Sequence, residues 1–215
     1  MTREWYAYGD KRYEEYAEKA RKLFRKTRLT LPFDEINALT ARKAANRLYK
    51  RLDEALRAVL LDVARRAYRE TGPGEDPPDE DWLEAYLALY GPVTKYVFTH
   101  EEERKRARFF ESVAADAASG NRLGLELDFK TAQSLWLKQC AQAVIDVEDA
   151  AALKGYRDAG VKRVTWRAEL DGRECAVCRK RHRKIYPIAE VPGKPHYGCR
   201  CYLLAVPTER EDAVD

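Results

Sequence analysis

Five residues near the end of the chain have the types and spacing of a metal site. Cys175-Ala176-Val177-Cys178 is a Cys-x-x-Cys turn, which lets two thiolates converge on one ion. After seventeen intervening residues comes His196-Tyr197-Gly198-Cys199-Arg200-Cys201, whose His-x-x-Cys has the same spacing and can return the second half of the site. Zinc suits such borderline-soft ligands and takes four of them tetrahedrally. Five candidates compete for four places. Cys199 and Cys201 are two apart and would face opposite sides of a regular strand. The expected set is Cys175, Cys178, His196 and Cys199, with Cys201 the main rival for the fourth place.

Other chemistry fits less well. Disulfides need an oxidising compartment that nothing else in the sequence suggests. A thioredoxin-like redox pair needs a strand before the Cys-x-x-Cys and a helix after it, whereas the basic run after Cys178 reads as a loop. A catalytic zinc keeps an open position for water. Five crowded thiol and imidazole groups favour a closed, structural Zn2+ that folds a segment too small to bury its own core. His182, between Arg181 and Arg183, reads as a surface residue, and His100 as part of a first helical turn. Cys140 reads as a buried free thiol beside Trp136 and Val144. Neither a glycine-rich phosphate loop nor a Ser/His/Asp constellation nor a carboxylate cluster with metal spacing is present, so no enzyme activity is expected.

The elements that must position these ligands follow from periodicity. Trp5, Tyr6, Tyr13, Tyr16, Ala20, Leu23 and Phe24 recur at roughly helical spacing, predicting a helix over 3–28 with an aromatic core stripe. A second, long amphipathic helix is predicted from a cap at Asp34 through Ile36, Leu48, Leu52, Leu56, Val63 and Ala67 to Thr71-Gly72-Pro73-Gly74. A loop to Pro78 and a short helix over 79–90 follow, stopped by Gly91-Pro92. Thr99 and Glu102 form a capping box that opens a helix to about Ser119-Gly120. Leu123 to Phe129 reads as a connector. A further helix runs from Lys130 to about Asp158, with Gly160 as its stop. Beyond it Val161, Val164 and Trp166 alternate with polar residues, the period of a strand. Asp171-Gly172 is a turn pair, and Ile185-Tyr186 and 201–206 read as short strands. The fold class is therefore α+β, mainly α: long amphipathic helices followed by a small β-rich zinc-finger module.

The 215 residues carry a formal net charge of +4. Between Asp171 and Lys184, six basic residues (Arg173, Arg179, Lys180, Arg181, Arg183 and Lys184) face two acidic ones, so this segment equals the net charge of the chain. Such a patch suits nucleic acid or an acidic protein face. Arg179, Lys180, Arg181, Arg183 and Lys184 are the candidate contact residues. The charged N-terminus Met1-Thr2-Arg3-Glu4-Trp5 is unlike a secretory signal, and no apolar run is long enough to span a bilayer. A soluble protein made in a cytoplasm, with no membrane partner, is expected.

Residues around the ligands add a family resemblance. Gly160-Val161-Lys162-Arg163-Val164-Thr165-Trp166, Leu170-Asp171-Gly172-Arg173-Glu174-Cys175-Ala176-Val177-Cys178, Ile185-Tyr186-Pro187 and Pro195-His196-Tyr197-Gly198-Cys199-Arg200-Cys201 together resemble the C-terminal domain of tailed-phage head morphogenesis proteins. These are the minor head or Mu F-like proteins. The shared pattern is a Gly, a Trp a few residues on, an Asp-x-Arg-x-Cys-x-x-Cys knuckle and a closing His-x-x-Cys-Arg-Cys. It covers about residues 130–206. Two positions depart from it. Gln139-Cys140-Ala141-Gln142 stands near where the family commonly carries Arg-Thr-Glu, and Tyr197 follows the closing His where Pro is common.

The resemblance implies a helical body over 1–128, a Mu F-like domain over 129–206 and a loose acidic tail over 207–215. It implies a virion component, made in the bacterial host cytoplasm, that associates with portal, capsid or scaffolding proteins and supports capsid assembly and DNA packaging or delivery. DNA is an implied contact, and a small-molecule substrate is not. The alternative is a stand-alone zinc-finger nucleic-acid-binding protein.

Overall fold

The computed structural model describes residues 4–32, 35–74, 101–196 and 198–207. Four long helices dominate them: α1 (Glu4–Thr30), α2 (Ala38–Thr71), α3 (Glu101–Ala118) and α4 (Arg122–Asp158). A three-stranded antiparallel sheet of order β2-β1-β3 follows, built from β1 (Arg163–Arg167), β2 (Ile185–Pro187) and β3 (Tyr202–Ala205). The short helix α5 (Ala176–Arg181) and a 3-10 turn (Ile188–Glu190) complete the described elements. None of the described helices is long and apolar enough to cross a membrane.

The predicted aromatic stripe of α1 is core. Tyr6, Tyr16, Ala20 and Phe24 are buried against α2 and α4. Tyr16 ties all three helices together: its hydroxyl donates to the Leu52 carbonyl at 3.2 Å and accepts from the Trp136 indole N–H at 2.7 Å. Burying a hydroxyl at the centre of a bundle is tolerable only because it is satisfied in this way. Phe109 of α3 packs edge-on against Tyr49 and Phe129, closing the apolar cluster.

Three expectations change. The cap of α2 is Asn37; the predicted cap Asp34 lies outside the described residues. Asn37 Oδ1 accepts from the N–H groups of Leu39 and Thr40, both at 3.0 Å, and Thr40 Oγ1 accepts from the Asn37 N–H at 2.9 Å. Asparagine is as good a cap as aspartate, and Thr40 completes a reciprocal box three residues on. Second, Leu123–Phe129 is not a connector but the first two turns of α4, capped by Asn121, whose side chain accepts from the Gly124 N–H at 3.0 Å. The Leu-Gly-Leu-Glu-Leu run alternates like a strand, yet Leu125 and Phe129 lie four apart on the buried face. α4 therefore runs without a break through the division at 128/129. Third, the basic run after Cys178 begins as helix, Arg179–Arg181 belonging to α5, while Arg183 and Lys184 lie beyond its end. The predicted helix over 79–90, the cap Thr99, His100 and the tail beyond residue 207 lie outside the described residues.

Where α1 crosses α4, the backbones come close enough to matter for the site. A Cβ added at Gly9 would lie 1.8 Å from Glu148 Oε1. Glu148 is 2% exposed, and its Oε1 has no hydrogen-bond partner among the described residues. Burial first, then the charges of Asp149 and Asp10, hold its carboxyl well above the usual carboxylate range. A neutral acid in this seat avoids the cost of an unpaired buried charge. α4 then ends at Gly160, whose positive φ of 74° turns the chain into β1. β1 points Val164 and Trp166 inward, 0% and 1% exposed, with the Trp166 indole beside the Cys201 sulfur.

Candidate metal centre

The cluster is assembled from two loops facing each other over β1. Cys175 is the N-cap of α5, and its Sγ accepts from the Cys178 N–H at 3.3 Å. This turn aims both sulfurs to one side. Before it, the Gly172 turn (φ 83°) is fastened by Glu174, which accepts from the Gly172 N–H at 2.8 Å and from Arg179 at 2.6 Å. From the other side come His196, Cys199 and Cys201. Cys178, Cys199 and Cys201 are buried; Cys175 is half-buried and His196 exposed.

The five predicted ligands do come together. The ligand atoms of Cys175, Cys178 and His196 lie within 4.8 Å of one another, as do those of Cys178, Cys199 and Cys201. Cys178 belongs to both triplets. Its Sγ is 3.3 Å from His196 Nε2 and 3.5 Å from Cys199 Sγ. A tetrahedral ion with bonds of about 2.3 Å to sulfur and about 2.0 Å to imidazole separates neighbouring ligands by roughly 3.5–3.8 Å. Small adjustments would bring these atoms to that spacing, so the cluster is compatible with a bound metal ion.

The thiols are not equivalent. Cys199 is pushed down to about 5, chiefly by a hydrogen bond from Cys201, against the effect of burial and with help from Lys194. Cys201 is correspondingly raised, first by that same bond and then by burial. Cys178 is pushed up to about 11, mainly by burial, whereas Cys175 is lowered by the backbone N–H it accepts. The Cys199 and Cys201 sulfurs thus lie close enough to influence each other's protonation. The buried indole N–H of Trp166 has no hydrogen bond of ordinary geometry among the described residues, and the Cys201 sulfur is its polar neighbour.

Several residues that support the cluster are not apparent from ligand spacing. Lys194 is buried with a salt bridge from Nζ to Asp149 of α4 at 2.9 Å, and it also donates to the Cys201 carbonyl. Its charge lies 5.9 Å from the ring centroids of both Tyr6 and Trp166. Burial alone would lower its pKa; Asp149 and the cysteines Cys199 and Cys201 turn the balance upward. Tyr6 donates to Asp149 at 2.6 Å and accepts from the Leu203 N–H at 3.3 Å, joining the start of α1 to β3. Gln142, in the stretch that departs from the family pattern, accepts from the Gly198 N–H at 2.6 Å and holds the closing loop on α4. A lone lysine or glutamine carries no sequence signal for such a role.

The basic run is partly committed to holding this module. Arg179 pairs with Glu174, and Arg181 donates to the Gly193 carbonyl at 2.8 Å while its guanidinium lies 5.0 Å from the Trp166 ring centroid. Lys180, Arg183 and Lys184 are exposed, and Arg183 has a positive φ of 63°. His182 is half-buried, and its Nδ1 accepts from the Ala168 N–H at 3.1 Å, so it is part of the scaffold and not a free surface group.

Comparison with family models, with curated proteins and with solved structures returns no match to this chain.

Proposed function

We propose that this chain is a minor head (head morphogenesis) protein of a tailed phage whose C-terminal module is organised by one structural Zn2+. The observation that carries the reading is the behaviour of the motif residues that are not ligands. Asp171 accepts from both Arg173 and Arg200, at 2.9 and 2.8 Å, while Trp166 is buried beside the Cys201 sulfur. The Asp-x-Arg of the knuckle and the Arg of Cys-Arg-Cys thus close on each other across the cluster. A bare pair of Cys-x-x-Cys-like turns would not require them, whereas the phage motif contains all of them.

In this reading Cys175, Cys178, His196 and Cys199 hold the ion, and Cys201 stands beside Cys199 as the rival for the fourth place. The ion supplies cross-linking of two loops that have little apolar surface of their own. The protein is a virion component without enzymatic activity, and its partners are portal and other capsid or scaffolding proteins. This reading requires a portal protein encoded in the same genome, and co-expression with that protein tests it. Co-purification that survives high salt is expected; separation of the two at every salt concentration would overturn the reading.

A second reading, a stand-alone zinc-finger nucleic-acid-binding protein, is favoured by the exposure of Lys180, Arg183 and Lys184. It places duplex binding on the finger. Replacing these three residues would then abolish binding, while the portal would not be retained.

A further inference from the structure

The largest concentration of charge in the chain lies outside the finger. Residues 19–52 hold eleven basic and two acidic side chains, a net charge of +9 in a chain whose total is +4. They form the hairpin of α1 and α2. Cancellation against acidic residues elsewhere hides this in the sum.

Two grooves flank α1 here, and they differ. The groove against α4 holds Arg21, Lys22, Arg25 and Arg28, but Glu18 and Glu126 also line it. Lys22 pairs with Glu18 at 2.6 Å and Arg28 with Glu126 at 2.9 Å. The cleft against α2, about 360 Å³, is lined by Lys26, Lys43, Arg47 and Arg51 with the hydroxyl-bearing Thr27, Thr30 and Thr40. Among the described residues no carboxylate lines it, and these four cations form no ion pair. All four are exposed. On α2, Lys43, Arg47 and Arg51 follow one another at intervals of four, so they stand in a row with steps of about 6 Å along one face.

We propose that this cleft binds double-stranded nucleic acid through its phosphate backbone. A row of cations is the donor set that contacts phosphates, while the Thr30 and Thr40 hydroxyls already donate to the carbonyls of Lys26 and Asn37. Arginine adds a fork that matches two phosphate oxygens. Among the described residues, the aromatics of the hairpin near the cleft, Phe24 and Tyr49, are buried in the core and offer no face for stacking unpaired bases, so the backbone of a duplex fits better than a single strand. Protein interfaces, by contrast, are depleted of lysine at their centres. The proposal does not depend on the metal or on the phage reading.

The test uses the full chain and a fluorescent duplex DNA of about 30 bp and arbitrary sequence, with anisotropy measured from about 50 to 200 mM salt. The wild type is expected to bind with a steep salt dependence. The triple variant Lys43→Gln, Arg47→Gln, Arg51→Gln should bind about tenfold or more weakly, and its salt slope should fall by about three. These positions are exposed and glutamine is a good helix former, so circular dichroism melting should be near wild type. The finger pair Lys180→Gln, Lys184→Gln should keep the wild-type slope. The proposal is overturned if the wild type fails to bind duplex at the lowest salt, or if the triple variant binds as the wild type does. It is equally overturned if the cleft takes phosphatidylserine vesicles or polyglutamate and duplex does not compete.

Discussion

Arg200 donates its two terminal guanidinium nitrogens to the two carboxylate oxygens of Asp171, each at 2.8 Å. The pair spans the two halves of the cluster, because Asp171 precedes Cys175 and Arg200 lies between Cys199 and Cys201. Together with Arg173 it holds the Asp171 carboxyl well below the usual carboxylate range, the Arg200 hydrogen bonds contributing most. Replacing Asp171 with Asn keeps the shape and removes the charge. Metal release into a chromogenic chelator should then accelerate on the order of tenfold, as for other residues that orient metal-bearing loops. Unchanged release would mean that the pair decorates the surface and does not position the loops.

Cys199 and Cys201 should respond differently to the same substitution. If Cys201 serves Cys199 as a donor, Cys201→Ser retains an O–H donor and keeps a full complement of metal. Cys199→Ser loses a ligand and should lower metal content sharply. Cobalt substitution gives the readout: the thiolate-to-cobalt charge-transfer band should keep its intensity in the first variant and fall in the second. The reverse pattern would exchange their roles and bring in Cys201 as the fourth ligand.

Glu148 predicts a pH dependence away from the metal. Its folded-state carboxyl titrates above its unfolded value, so the folded chain holds the extra proton between the two. Its contribution is fully present below the ordinary carboxyl range near 4.5 and is lost as pH rises toward the raised value. Glu148→Gln supplies a neutral isostere. Its stability relative to wild type should therefore improve as pH rises above the ordinary carboxyl range in urea unfolding. A constant difference as pH rises would contradict a protonated Glu148. Gly9→Ala, which thrusts a methyl into the same carboxyl, should cost about 1–3 kcal/mol.

Lys194 and Asp149 form an almost fully enclosed pair, with side chains 11% and 15% exposed. Lys194→Met keeps much of the stem but strands the aspartate, and should destabilise the fold by about 3 kcal/mol. The double variant Lys194→Met, Asp149→Leu should recover much of the loss. Equal destabilisation in both would show that the pairing itself carries little.

The clustering of the candidate ligands was legible because metal sites place few residue types at tight spacing: Cys175, Cys178, His196, Cys199 and Cys201 can be picked out from the sequence alone. The long helices were legible where one face is continuously apolar, as from Leu48 to Ala67. Periodicity failed at Leu123–Phe129, where exposed Leu123 and Leu127 alternate with buried Leu125 and Phe129 and imitate a strand. It failed again after Cys178, where six residues are too few to show a period, although the Cys175 cap starts a helix there. Lys194, Gln142 and Tyr6 were not legible as parts of the site, since Asp149, Gly198 and Asp149, to which they respectively bond, lie 45 or more residues away and only the fold brings them together. The basic cleft was hidden by a different cause: summed charge cancels over the chain, whereas a ligand meets it locally.

Metal content of the purified chain, measured by inductively coupled plasma mass spectrometry after gel filtration under reducing conditions, tests the zinc-organised module most directly. About one zinc per chain is predicted, lost together with the folded C-terminal module when Cys178, common to both triplets, is replaced by Ala. A chain that is well folded over residues 163–205 with no bound metal would contradict it.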